Sequence, residues 1–124
     1  MFSHVMVGAN DLEASRKFYD AALDALGIGP GKNNRDIRYF YRSPTGVFAV
    51  TLPIDQKEAT AANGGTIGFV AQSVEQVDAF HAAGLANGGI SCEDPPGYRE
   101  GPGGKMYLAY LRDPAGNKIC AMFR

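Results

Sequence analysis

Two histidines, His4 and His81, and two cysteines, Cys92 and Cys120, are the chain's only imidazoles and thiols. An imidazole changes charge near neutral pH, so it can act as a general base or as a directed hydrogen-bond donor. Cys120 would be a nucleophile if His4 took its proton; a buried cysteine otherwise packs as a small hydrophobe. His4 and Cys120 alone are too few for a zinc site, which needs about three protein ligands. His81 directly follows Phe80 in a helical stretch and reads as a surface residue. Cys92 has no visible partner and reads as structural. The segment Glu93–Gly104 (EDPPGYREGPGG) is rich in Gly and Pro and reads as a mobile loop. Within it, Arg99 could pair with a carboxylate and Tyr98 could stack on a ring, the alternative being a solvated linker. Gly97, Gly101, Gly103 and Gly104 match neither a dinucleotide nor a phosphate-loop fingerprint.

The elements that must position these residues occur twice. Shifted by 62 positions, Ala9 falls on Ala71, Glu13 on Glu75, Phe18 on Phe80, Leu23 on Leu85 and Gly27 on Gly89. Further on the offset becomes 70, with Arg42 on Arg112, Pro44 on Pro114 and Gly46 on Gly116, so the second half holds eight extra residues, placed in Glu93–Gly104. Phe2–Val7 and Thr66–Ala71 read as opening strands. Asn10-x-x-Glu13 and Ser73-x-x-Gln76 read as helix starts whose side chains satisfy unpaired backbone N–H groups. Leu12, Phe18, Tyr19, Ala22, Leu23 and Leu26 follow helical spacing, as do Val74, Val77, Phe80 and Gly84. Gly27 and Gly88-Gly89 are the stops. Arg38–Arg42 pairs with Val47–Leu52 through Ser43-Pro44-Thr45-Gly46. Met106–Arg112 pairs with Asn117–Phe123 through Asp113-Pro114-Ala115-Gly116. With a weaker strand near Ile28 and another near Ile90, each half is βαβββ. The expected fold is α+β, a single domain over residues 1–124 with modules of about 1–62 and 63–124.

Composition narrows the partners. The 124 residues carry 12 Lys+Arg and 13 Asp+Glu, a formal net charge of −1, without the basic excess of a nucleic-acid or anionic-membrane binder. No apolar run approaches the roughly 20 residues of a membrane span. The N-terminus shows no basic region followed by an apolar stretch, so no signal peptide is expected. Two cysteines are too few for a disulfide scaffold. The expectation is a soluble, cytoplasmic domain with a small-molecule ligand, no nucleic acid and no membrane.

Strand alternation assigns faces. His4, with Phe2 and Met6, is expected to line one face together with Thr66, Gly68 and Val70; Phe48, Val50 and Leu52; and Cys120 and Met122. Val5, Val7, Ile67 and Phe69 suit the side beneath the helices. The first set is mostly apolar with a few polar groups, as small-molecule sites are, unless it is a filled core or a dimer contact. Arg42 and Arg112 each precede a turn and are expected to bond turn carbonyls.

The strand bearing His4, the run Asn10-Asp11-Leu12-Glu13-Ala14-Ser15 leading to Phe18-Tyr19, and the closing Arg112-Asp113-Pro114-Ala115-Gly116-Asn117-Lys118 resemble the vicinal oxygen chelate superfamily. That superfamily includes glyoxalase I, extradiol dioxygenases and bleomycin-resistance proteins, and the resemblance covers the whole chain. It implies a cupped mixed sheet with helices outside, and a homodimer. In its metalloenzymes His and Glu from the first and last strands of the modules hold a divalent ion. The corresponding positions here read His4, Val50, Thr66 and Cys120, of which only His4 is an ordinary ligand for Mg, Mn, Fe or Ni. No cofactor is therefore expected, although a divalent metal is the group the resemblance would supply. Two functions follow. One is a metal-free protein binding a small molecule in the cup through His4, Phe48, Val50, Thr66, Cys120, Met122, Tyr98 and Arg99. The other is a metal-dependent lyase or dioxygenase acting on a vicinal-oxygen substrate, in which the ion would stabilise developing oxyanion charge. Glyoxalase I activity itself would need the complete His/Glu set.

Overall fold

The computed structural model describes residues 1–124. The elements run β1 (His4–Gly8), α1 (Leu12–Asp24), β2 (Lys32–Asn34), β3 (Arg38–Ser43), β4 (Gly46–Thr51), β5 (Ile67–Val70), α2 (Val74–Ala86), β6 (Ile90–Gly101), β7 (Gly104–Arg112) and β8 (Lys118–Phe123). This is βαβββ twice. Each module forms a mixed four-stranded sheet, ordered β1-β4-β3-β2 and β5-β8-β7-β6, in which β1 and β5 join in parallel and the other pairs are antiparallel. The sheets make a cup with both helices outside.

Local chemistry explains the helix boundaries, with one correction. The cap of α1 is Asp11, not Asn10: the Asp11 carboxylate accepts the Ala14 N–H at 3.0 Å. Asn10 is used elsewhere. Its side chain grips the Ala59 backbone, accepting the N–H at 2.7 Å and donating to the carbonyl at 3.2 Å, which pins the linker between modules. Ser73 caps α2 as expected, and the Gln76 side chain reaches back to accept the Gln72 N–H. Gly27 closes α1 at φ +81°, where its missing Cβ makes the left-handed backbone inexpensive.

One core spans both modules. Phe18 of α1 and Phe80 of α2 are both wholly buried, as their shared repeat position requires. Phe48 and Phe69 meet across the module boundary, edge to face, with ring centres 5.2 Å apart. A Cβ on Gly84 would run into the Leu111 side chain and lie 3.1 Å from the Phe18 ring, so this glycine sets how closely α2 approaches the second sheet.

The eight extra residues differ from expectation. They extend a hairpin rather than forming a loop: Gly97–Gly101 of β6 pairs with Gly104–Leu108 of β7, and the register shifts between Cys92 and Gly97. Proline is tolerated there because β6 is an edge strand and Pro95-Pro96 falls within the bulge. In the first module the weak strand lies at Lys32–Asn34 rather than near Ile28. No helix is long and apolar enough to cross a membrane.

The closing turn joins the halves. Asp113 Oδ2 accepts the Tyr19 hydroxyl at 2.6 Å and the Asn117 Nδ2 at 2.8 Å. Its Oδ1 accepts the Ala115 and Asn117 backbone N–H groups at 2.9 and 2.8 Å. Asn117 Nδ2 also donates to the Gly8 carbonyl at 2.9 Å, so the end of β1 is tied to the start of β8. The Asp-Pro-Ala-Gly-Asn run is thus a clamp between modules.

Candidate functional site

Ladder partners share a sheet face, so the register fixes what lines the cup. His4 lies beside Val47, and Met6 beside Ala49. Gly68 lies beside Cys120, and Val70 beside Met122. Ala49, Leu108 and Cys120 are buried yet stand outside the helix-packed cluster, as expected of residues on the concave side.

Two expected positions are corrected. Phe48 and Val50 point toward the helices: Val5 partners Phe48, Val7 partners Val50, and both residues belong to the helix-packed core. The repeat is the reason. Phe48 partners Val5 while Ile119 partners Ile67, so β4 and β8 are equivalent at an offset of 71, not 70. The turn between β7 and β8 holds five residues between the paired Arg112 and Lys118, whereas the equivalent pair Arg42 and Val47 is separated by four. The unequal turns absorb one residue and reverse every side chain assigned across them. Ala49, rather than Val50, is the counterpart of Cys120.

The other candidates separate. His4 is exposed on the concave side, its Nδ1 2.9 Å from the Ser3 hydroxyl. Thr66 is exposed just before β5. Cys120 and Met122 lie on the concave side. Tyr98 is corrected to the outer side, since it partners Tyr107, whose hydroxyl donates to Asp78 of α2 at 2.7 Å. Arg99 is on the concave side but is bound to the backbone: it donates to the carbonyls of Gly97 (3.1 Å), Leu108 (2.7 Å) and Asp94 (2.8 Å), closing the bulge. Arg112 bonds the Gly116 carbonyl at 3.0 Å, as its place before a turn suggested; Arg42 instead sits 5.4 Å from the Phe40 ring centre. His81 is half-buried, with Nε2 2.9 Å from Ser91 Oγ, and burial lowers its pKa.

The floor of the second half centres on Tyr110, which sequence reading missed. Its neighbours across the ladder are Cys92 and Cys120. The Arg99 guanidinium lies 5.9 Å and the Lys118 ammonium 4.8 Å from its ring centre, and Lys118 pairs with Glu93 at 2.8 Å. Glu93 stands at φ 58°, the left-handed backbone that starts the bulge. Burial raises the Tyr110 pKa, and the Glu93 hydrogen bond raises that of Lys118. Burial pushes the Cys120 thiol up to about 11, so it is neutral at pH 7 and a weak nucleophile. Alternation outward from Cys120 reaches Lys118, but only the β7–β8 register reveals Tyr110.

A divalent ion does not suit these residues. The corrected positions read His4, Ala49, Thr66 and Cys120, offering one imidazole, one hydroxyl and a thiol that burial keeps protonated. Nowhere do three His, Cys, Asp or Glu side chains cluster to hold one.

A cavity of about 570 Å³ opens where β1 meets β5, lined among others by His4, Val47, Phe48, Gly68 and Val70. That volume suits a small molecule. It brings together His4 and Phe48 and also takes in the helix-side residues Val5, Leu26 and Phe69, while Thr66, Val50, Tyr98, Arg99, Cys120 and Met122 lie outside its wall.

Comparison with known proteins agrees with this fold. Residues 1–121 match the family model of the Glyoxalase/Bleomycin resistance protein/Dioxygenase superfamily. A glyoxalase/bleomycin resistance protein from Albidiferax ferrireducens T118 is 68% identical, with 100% of this chain and 99% of that one covered and a TM-score of 0.98. A glyoxalase-related enzyme from Fulvimarina pelagi is 22% identical, with 100% and 88% covered and a TM-score of 0.73. A lactoylglutathione lyase from Agrobacterium tumefaciens is 22% identical, with 98% and 92% covered and a TM-score of 0.66. No curated protein matches the chain.

Proposed function

The chain belongs to the Glyoxalase/Bleomycin resistance protein/Dioxygenase superfamily, and from that premise we propose that it binds a small organic molecule on the concave side of its sheets without a resident metal ion. One observation carries this reading: the paired positions Ala49 and Cys120 offer a methyl group and a protonated thiol where a chelating enzyme needs hard, charged oxygen donors. The ligand's body rests on Met6 and Val47, and His4 gives it one directed hydrogen bond at the mouth of the 570 Å³ cavity. In such a site Cys120 is a packing residue. Two copies associate, as the family resemblance implies.

The test is elemental analysis of protein purified without a chelator, together with binding to the His4→Ala variant. Less than about a tenth of an ion per chain is expected. His4→Ala should weaken binding by about 0.5–1.5 kcal/mol, the net worth of one hydrogen bond from an exposed group. One tightly held Ni, Zn, Fe or Mn per chain, lost in His4→Ala, would overturn the proposal in favour of a metal-dependent enzyme.

A further inference from the structure

Charge divides unevenly between the two sides of the sheets. The ladder places six of the 12 Lys+Arg, namely Lys32, Arg38, Arg42, Arg99, Arg112 and Lys118, on the concave side and no acid at any concave ladder position. Glu93, reaching in from the bulge to Lys118, is the one acid paired there. The other six basic residues share the rest of the chain with the other twelve of its 13 acids. A chain with a formal net charge of −1 therefore carries a distinctly positive concave face. Low-dielectric walls concentrate such a field on whatever enters the cup.

The two modules use these cations differently. In the second module Arg99 and Arg112 are committed to backbone carbonyls and Lys118 to Glu93. In the first, Lys32 and Arg42 are exposed and no carboxylate pairs with Lys32, Arg38 or Arg42. Arg38 adds an independent observation. Its Nε is buried and has no hydrogen-bond partner, a donor waiting for an acceptor that the chain does not provide.

The arrangement also has a shape. Arg38, Phe40 and Arg42 alternate along β3 on one side, and Lys32 lies across from Phe40. Phe40 continues through Ala49 to Met6 as an apolar strip. Arg42 continues through Val47 to His4, and Val47 and His4 belong to the cavity wall. The two arginine Cα atoms are roughly 13 Å apart at the usual strand rise. The Arg42 guanidinium lies 5.4 Å from the Phe40 ring centre and has no ion-pair partner in the chain, so its N–H donors are free for an oxyanion.

We infer that the first module's concave face takes an organic oxyanion, a carboxylate or phosphate group on a flat apolar body, with Arg38 and Arg42 as its counter-charges. This rests on the concave binding face proposed above and specifies the charge of its ligand. The body lies along Phe40 and Met6, which stay accessible on either side of buried Ala49, and the anionic group meets a guanidinium fork.

The test is a titration of the full ¹⁵N-labelled chain, followed by amide NMR, with phthalate, phenyl phosphate and uncharged dimethyl phthalate. Phthalate, phenyl phosphate or both should shift amides of residues 32–49 saturably, and which binds more tightly identifies carboxylate or phosphate as the preferred group. Dimethyl phthalate should bind at least tenfold more weakly. Arg38→Gln and Arg42→Gln should each weaken the charged probe at least tenfold, while Lys105→Gln, on the outer side, should change it less than twofold. If dimethyl phthalate shifts the same amides as strongly and neither arginine matters, the concave site stands and the anion inference falls. If no compound shifts a concave-face amide, both fall.

Discussion

Removing the Asp113 carboxylate is expected to loosen the two halves of the cup, and its cost can be worked from the contacts. Asp113 is 3% exposed and accepts four hydrogen bonds, from Tyr19, Ala115 and Asn117 twice. A hydrogen bond to a charged group contributes about 1.5–3 kcal/mol, and a buried donor left without a partner costs about 1–3 kcal/mol. These terms do not add, because the Ala115 and Asn117 donors can relax toward water at the turn. The wholly buried Tyr19 hydroxyl cannot. Asp113→Ala should therefore cost about 3–5 kcal/mol in urea unfolding, and Tyr19→Phe about 1.5–3 kcal/mol. Since the 2.6 Å bond joins the two residues, the double variant should be more stable than the sum of the single losses predicts, by at least about 1 kcal/mol. Additivity within about 0.5 kcal/mol, or an Asp113→Ala loss below about 1 kcal/mol, would refute the clamp.

Four further outcomes are expected. Gly84→Ala, which forces a methyl group against Leu111 and Phe18, should lower stability by about 1–3 kcal/mol by thermal or urea unfolding, despite alanine's better helix propensity. Iodoacetamide followed by mass spectrometry should modify half-buried Cys92 well before Cys120 at pH 8. Because the Cys120 pKa is raised from 9.0 to about 11, its contribution to stability is complete below pH 9 and is lost as the pH climbs through about 11; Cys120→Ala should flatten that alkaline decline. Light scattering at tens of micromolar should give about twice 13.2 kDa, and a mass of 13.2 kDa would refute the proposed dimer.

Most of the architecture is legible in the sequence because duplication tests itself. Phe18 with Phe80 meets the same physical demand twice, so a helix inferred in one half is checked by the other. What escapes is whatever one half does alone. Glu93–Gly104 has loop composition, yet it forms a hairpin because β6 has a free edge where Pro95-Pro96 costs no ladder bond. Asn10 and Asp11 are equally good caps by type, and only the position of Ala59 decides which one turns away from the helix.

The site was less legible, and a single residue shows why. Side-chain direction in a strand has period two, so a face assignment is only as good as the residue count through the preceding turn. The β1 assignment from alternation, the β5 assignment carried over at the 62-residue offset and the β8 assignment from the closing motif agree with the register. The β4 assignment was carried over from β8 across two turns of unequal length, and it put Phe48 and Val50 on the wrong side. The same constraint hid the cations. Arg38 and Arg42 look like ordinary surface residues until β3 is known to pair with β4 at Phe40–Ala49, which turns both toward the side where Met6 and His4 lie. The register, more than any one residue type, therefore decides which of two alternating sets, Arg38-Phe40-Arg42 or Tyr39-Tyr41, lies on the concave side and which faces the core.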